Sequence, residues 1–336
     1  NFPDPFFYQS SGKWYALASN NAAGILNAST SSFPKDYGKS NIQIATSTDL
    51  LNWDLSPQSS TQVLANPGNW SLPGTHTVNN VPPVPKASVW APDLYQQTSE
   101  NKDLLLYYSA ASSTNPSRHC IGVASAPVSA SPSGPFQPTS PTPLICPLPQ
   151  GGAIDPSSFT DADPSHTLYL VYKIDGNALG HGGECSNTVA PQQSTPLMLQ
   201  RLAPDGLGVA EGAAPTQLLD RGPGDGPLVE APVLVRSDGG VYFLFFSSGC
   251  TRADDYKIEY ATADAVAGPY VRAGTPLVQT GDFGGLVAPG SVTVVKGGGA
   301  QGWVMGFAAR VQSAQGGVRE LFVTGLEMDG KSAKVV

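Results

Sequence analysis

The sequence predicts an all-β fold, a five-bladed β-propeller, on three observations. Glycine and proline are abundant (37 and 31 of 336 residues) and only 13% of residues are charged, whereas long helices draw on Glu and Lys. The apolar runs are short, aromatic or β-branched, and bounded by turn formers. They fall into five similar units of about sixty to eighty residues, the repeat expected of propeller blades with about four strands each.

The units follow one another along the chain. Each has one apolar run and then a second, often ending in Ala-Thr-Ser or a variant: 12–19 then 42–47, 104–109 then 120–125, 168–172 then 197–200, 241–246 then 258–262, and 303–307 then 321–324. The tails Ser133-Gly-Pro-Phe136 and Ala267-Gly-Pro-Tyr270 echo each other in units two and four. Pro/Ser/Thr/Asn-rich segments at 19–40, 56–85 and 180–195 are too long for hairpin turns. The pattern resumes after each, so they read as surface loops and the chain as one domain, 1–336. A β-sandwich or β-helix is the competing architecture.

The net charge is −8 with no basic run, which excludes nucleic acid and anionic membrane surfaces as partners. No apolar stretch approaches the roughly 18 residues of a membrane span. An uncharged ligand such as a sugar fits better. Cys120, Cys146, Cys185 and Cys250 are even in number and form no CxxC pair, which points to two disulfides. Cys120 and Cys146 flank the Gly-Pro-Phe tail and would staple it. Cys185 would then tether its loop to Cys250, although four cysteines allow three connectivities. Asn27 and Asn69 head N-glycosylation sequons. Together these features predict a secreted, extracellular monomer, and the start at Asn1 reads as a mature form.

Three acids stand close to proline before the first strand runs of units one, three and four: Asp4 in Phe2-Pro-Asp-Pro5, Asp155 in Ala153-Ile-Asp-Pro-Ser157, and Glu230 in Leu228-Val-Glu-Ala-Pro-Val233. The first strand of a propeller blade lines the channel, so acids at its start are expected in register at the channel mouth. Each alone reads equally well as a turn residue. Together they match what cleavage of a glycosidic bond needs: an acid for the leaving oxygen and a carboxylate to activate water or attack. A third carboxylate would keep the acid protonated.

With these motifs in that order, nearly the whole chain resembles glycoside hydrolase family 43. The resemblance implies a five-bladed propeller and an inverting mechanism. Asp4 corresponds to the general base, Asp155 to the acid that tunes and orients the proton donor, and Glu230 to the general acid. Val89-Trp-Ala-Pro-Asp-Leu-Tyr95 is similar to the family's Trp-Ala-Pro motif. The last blade departs from the pattern. Many members have Pro-Gly-His there, with the His in the channel near a calcium ion, and here Ala288-Pro-Gly-Ser291 ends in Ser. A His before an Arg is usual later in some members, where this chain has Phe307-Ala-Ala-Arg310. No cofactor is required for the chemistry, and a structural calcium or sodium ion in the channel is left open.

Other candidates have two readings each. Trp90 stacks on a sugar face or packs in the core. Arg310 binds the terminal sugar or holds Glu230, or is an ordinary ion pair. Asp93 is a fourth pocket acid or a turn residue. His181, with Glu184 on the same loop, rims the pocket or is merely solvated.

The expected activity, which rests on the family resemblance, is that of an inverting, exo-acting α-L-arabinofuranosidase on arabinan; β-xylosidase, endo-arabinanase and galactan-cleaving activities occur in the same family. A non-catalytic sugar-binding propeller is the alternative from another class. A retaining hydrolase of the invertase type fits less well, because Phe2-Pro-Asp-Pro-Phe6 lacks the Asn residues of an Asn-Asp-Pro-Asn start.

Overall fold

The computed structural model describes the chain except residues 21–39, 58–60, 73–74, 77–83, 86–88, 98–102, 298–301 and 311–317. The expected loops at 19–40 and 56–85 therefore lie largely outside the described residues, as does the Asn27 sequon. The strands form five four-stranded antiparallel sheets, each contiguous in sequence. A small hairpin of Thr75–His76 with Val84–Pro85 lies between the first and second. The fold is the five-bladed propeller, with inner strands Phe6–Ser10, Val89–Gln96, Ala153–Thr160, Val229–Arg236 and Val287–Lys296.

The two apolar runs recognised in each unit are the second and third strands, which carry most of the buried side chains. Leu104–Ala111 is buried at every position and Tyr242–Ser248 likewise. They pack between blades as continuous apolar clusters, for example Phe243, Phe245 and Ile258 of blade four with Met305 and Phe307 of blade five. The outer strands are short, only Asp54–Leu55 in blade one and Val271–Arg272 in blade four. The echoed tails turn alike, with Gly134 at φ +79° and Gly268 at φ +85°. A Cβ on Gly134 would meet the Val63 carbonyl oxygen at 2.6 Å, so only glycine fits that turn.

Among the described residues no strand is exchanged between the first and last blades, and the ring closes by contact. The Phe2 N–H donates to the Arg319 carbonyl (2.8 Å) and the Arg319 N–H to Asn1 Oδ1 (3.0 Å). Phe7, Trp14 and Val304 pack across the same seam. Disulfides join Cys120 to Cys146 within blade two and Cys185 to Cys250 across blades three and four.

One irregularity recurs around the ring. Asp4, Ala91, Asp155, Ala231 and Ser291 all have φ between +44° and +56°. In blades two to five a register shift separates the residue before this position from the residue two after it. In four blades the next residue is proline, which has no N–H for the ladder. A non-glycine residue in this region costs about 1–3 kcal/mol, and such residues cluster at functional sites.

Candidate active site

The five left-handed positions line one open cavity together with the two residues that follow each. Asp4 and Asp155 occupy the position on blades one and three. Glu230 does not share their register, contrary to the sequence expectation. It stands one residue earlier, and Ala231 takes the ring position on blade four. Aligning the motifs by their acids hid this offset, because Glu230 is separated from Pro232 by one residue. Asp155 and Glu230 also lie within their inner strands, at the bulge, and not before them.

Opposite each ring position, the second strand carries one residue paired with the residue just before it: Ser19, Ser109, Lys173, Ser247 and Ala308. The three serines stitch the blades together. Ser19 Oγ accepts the Ala91 N–H (2.7 Å), Ser109 Oγ that of Asp155 (3.1 Å), and Ser247 Oγ that of Ser291 (2.9 Å). Ser19 also donates to Asp4 Oδ2 at 2.5 Å, which fixes that carboxylate. Between blades three and four the stitch is different. Asp155 Oδ2 itself accepts the Ala231 N–H (2.9 Å). Lys173, fully buried, instead extends to Glu230 Oε2 (3.1 Å) and Asp175 Oδ1 (3.0 Å).

Glu230 is thus held from two sides, because the buried Tyr256 hydroxyl donates to its Oε1 at 2.8 Å. Sequence reasoning missed both partners. Lys173 had a signal: it interrupts the apolar strand Leu168–Ile174, and a Lys in such a run needs a partner. Tyr256 lies in a loop and had none.

Enclosure in the site, then the charge of Glu230, pushes the Asp155 carboxyl well above the usual carboxylate range. Lys173 opposes this and Asp4 adds to it. Burial pulls the Lys173 ammonium down, but Asp175, Glu230 and Asp155 outweigh it and keep it charged. Burial pushes the Tyr256 phenol up, reinforced by Glu230, so it remains a donor. The arrangement holds one carboxylate by a hydroxyl at blade one and a proton-retaining carboxyl pair at blades three and four.

The remaining candidates are spread around this site. Asp93 lines the cavity two residues beyond Ala91. It is buried, accepts from Ser158 (2.7 Å), and is pushed up to about 6 by burial. The half-buried Trp90 stacks on His119 with ring centroids 3.7 Å apart. The His119 imidazole is pushed down to about 4 by burial. Arg310 is buried and donates to Asp254 Oδ1 (2.6 Å) and to the Ala253 carbonyl (3.0 Å) on the loop that carries Tyr256. It braces that loop, while Glu230 is held by Lys173 and Tyr256. His181 and Glu184 are exposed on the loop fastened by the Cys185–Cys250 disulfide. Asn69 is exposed.

The family's channel metal fits these residues poorly. Ser291 supplies a hydroxyl where an imidazole would stand, and the acidic residues of the lining, Asp4, Asp93 and Asp155, come from three different blades. No group of three or more His, Cys, Asp or Glu able to hold a metal occurs among the described residues.

The profile of glycosyl hydrolases family 43 matches residues 1–331. A β-D-galactofuranosidase of Aspergillus niger is 24% identical over 284 residues, 80% of this chain, which spans 66% of that relative's length. Similar solved structures include a thermostable family-43 glycoside hydrolase, with TM-score 0.73, 20% identity and coverage of 99% of this chain and 92% of the other. The α-L-arabinanase of Cellvibrio cellulosa is another, with TM-score 0.67, 20% identity and coverage of 100% and 95%. The structural likenesses support the propeller. The match over residues 1–331 shows more than the fold: this chain belongs to glycosyl hydrolase family 43.

Proposed function

We propose that this family-43 glycosidase is an inverting, exo-acting α-L-arabinofuranosidase that releases terminal arabinose from α-1,5-linked arabinan of the plant cell wall. The observation that carries the reading is that Asp4 and Asp155 line one cavity while Glu230, one residue before Ala231 of its lining, lies close enough to Asp155 for its charge, with burial, to raise the Asp155 carboxyl. Asp4, steadied by Ser19, takes a proton from water as the water oxygen bonds to the anomeric carbon. Glu230 gives a proton to the glycosidic oxygen as the carbon–oxygen bond breaks. Asp155 keeps a proton in the Asp155–Glu230 pair at a pH where a lone carboxyl would have lost it. Inversion needs roughly 6.5–9.5 Å between base and acid carboxyls. Asp4 and Glu230 come from blades one and four, which are not neighbours in the ring, and this placement supports the wider spacing.

The two disulfides support an extracellular setting. The likeness to an arabinanase supports arabinan as substrate. The galactofuranosidase relative supports a second reading, because β-D-galactofuranose has the ring stereochemistry of α-L-arabinofuranose and differs at the exocyclic carbon. The test is turnover of the 4-nitrophenyl glycosides of both sugars, with product profiling on linear arabinan. The first reading expects faster release from the arabinofuranoside and arabinose as the only early product. Faster release from the galactofuranoside favours the second, and an early ladder of oligosaccharides means endo action. No turnover on any of these or on xylosides would leave a sugar-binding propeller.

A further inference from the structure

We propose that Lys173 is a positioning residue that fixes the Glu230 side chain and sets the pH at which the Asp155–Glu230 pair gives up its proton. The proposal rests on Glu230 being the proton donor. It comes from the break in the blade-to-blade stitch. At the matching position Ser19, Ser109 and Ser247 hold a backbone N–H of the next blade. Lys173 holds no backbone group there and reaches the next blade's side chain, 3.1 Å from Glu230 Oε2. Its ammonium is buried, so the ion pair is little screened by salt or water. Asp175, at 3.0 Å, fixes the other side of the ammonium, so the lysine cannot swing away from Glu230 without leaving a buried charge unpaired.

The other charges facing Glu230 come from different elements. Asp155 is on the neighbouring inner strand and Tyr256 on the blade-four loop. Arg319 of blade five packs its guanidinium over the Tyr256 ring at 5.4 Å and donates to the Ala288 and Ala308 carbonyls, not to a carboxylate. Asp4 lies beyond, close enough to act on Asp155. Among these, Lys173 is the cation in direct contact with Glu230. It favours the ionised carboxylate and so opposes Asp155, which favours the protonated pair. The pH at which the site loses its proton is the balance of the two.

The experiment is a carbon-13 carboxyl NMR titration of the full chain, with the Glu230 signal assigned by its loss in Glu230→Gln, alongside kcat and KM against pH on the 4-nitrophenyl arabinofuranoside. In Lys173→Met the Glu230 titration should move up by about one pH unit or more. The alkaline limb of kcat should move with it, and kcat should fall about tenfold with KM changing far less. Lys173→Arg, which keeps the charge, should leave the limb within a few tenths of a unit. If Lys173→Met does not fold, Asp175→Asn gives the opposite sign, because Lys173 then serves Glu230 alone and the titration should move down. A Glu230 titration unmoved in the folded variants would overturn the proposal. A wild type without glycosidase turnover would instead overturn the functional reading, and the NMR titration would still decide the role of Lys173.

Discussion

In blade two the residue opposite the bulge is Ser109, and its hydroxyl accepts the Asp155 N–H of the next blade. In blade three the same place holds Lys173, which passes the backbone and pairs with Glu230. The strands around the two residues are otherwise alike, each buried along most of its length. A neutral stitch ties blades together at little electrostatic cost. A charged one must be matched, and Asp175, Asp155 and Glu230 supply the match. The displaced backbone duty passes to Asp155, which accepts the Ala231 N–H in place of a serine. The comparison separates scaffold from chemistry: the left-handed position is repeated five times, Asp4 sits beside the intact Ser19 stitch, and the Asp155–Glu230 pair sits where Lys173 replaces the serine.

Four variants break or sharpen that contrast, from the largest effect to the smallest. Glu230→Gln keeps the shape at the broken position and removes the transferable proton. Activity on arabinan should fall on the order of 10²–10⁴-fold, and activity on an aryl glycoside with an acidic leaving group should fall less. Equal losses on the two substrates would count against Glu230 as the acid.

The paired change Cys185→Ser with Cys250→Ser unfastens the blade-three loop from the loop that carries Tyr256. It should cost about 2–5 kcal/mol by denaturant unfolding. An unchanged unfolding midpoint would mean that Arg310 and the loop contacts suffice without the bridge.

Ser109→Ala removes the neutral stitch and strands a buried N–H. The expected loss is about 1–3 kcal/mol of stability, with the alkaline limb of the pH profile unmoved. A shifted limb would show that the serine stitches also tune the site.

Asp155→Asn should act in the opposite direction on stability. The folded state holds the Asp155 proton above the ordinary carboxylate range, so the native protein binds more protons than the unfolded chain in that window. Stability due to this group is therefore present at low pH and falls as pH rises from the usual carboxylate range towards the raised value. The Asn side chain can still accept the Ala231 N–H. Melting at neutral pH should rise by a small amount while activity drops. A Tm that falls equally at pH 4 and pH 7 would contradict the assigned titration.

Much of this was legible in the sequence. The second and third strands of blades one to four announced themselves as apolar runs because most of their residues are buried between blades, while in blade five only the second strand, Trp303–Arg310, is buried to that degree. Asp4 and Asp155 were legible because proline follows the left-handed position that each occupies. The outer strands were not, since two residues such as Val271–Arg272 carry no pattern. The offset of Glu230 was hidden because the bulge, and not the acid, is the repeated element. Lys173 and Tyr256 escaped because their meaning lies in a partner on another element, 57 and 26 residues from Glu230 along the chain. Of the readings open to Arg310, sugar binding, a hold on Glu230 or an ion pair, the structure shows an ion pair with Asp254, and the contact with Glu230 is made by Lys173.

Stereochemistry tests the central claim most directly, because a base at Asp4 and a nucleophile at Asp4 lead to opposite first products. Proton NMR of the earliest arabinose released from an α-linked substrate, recorded before mutarotation, should show the β-anomer. An α-anomer appearing first would contradict the account: it would make Asp4 a nucleophile and the enzyme a retaining one.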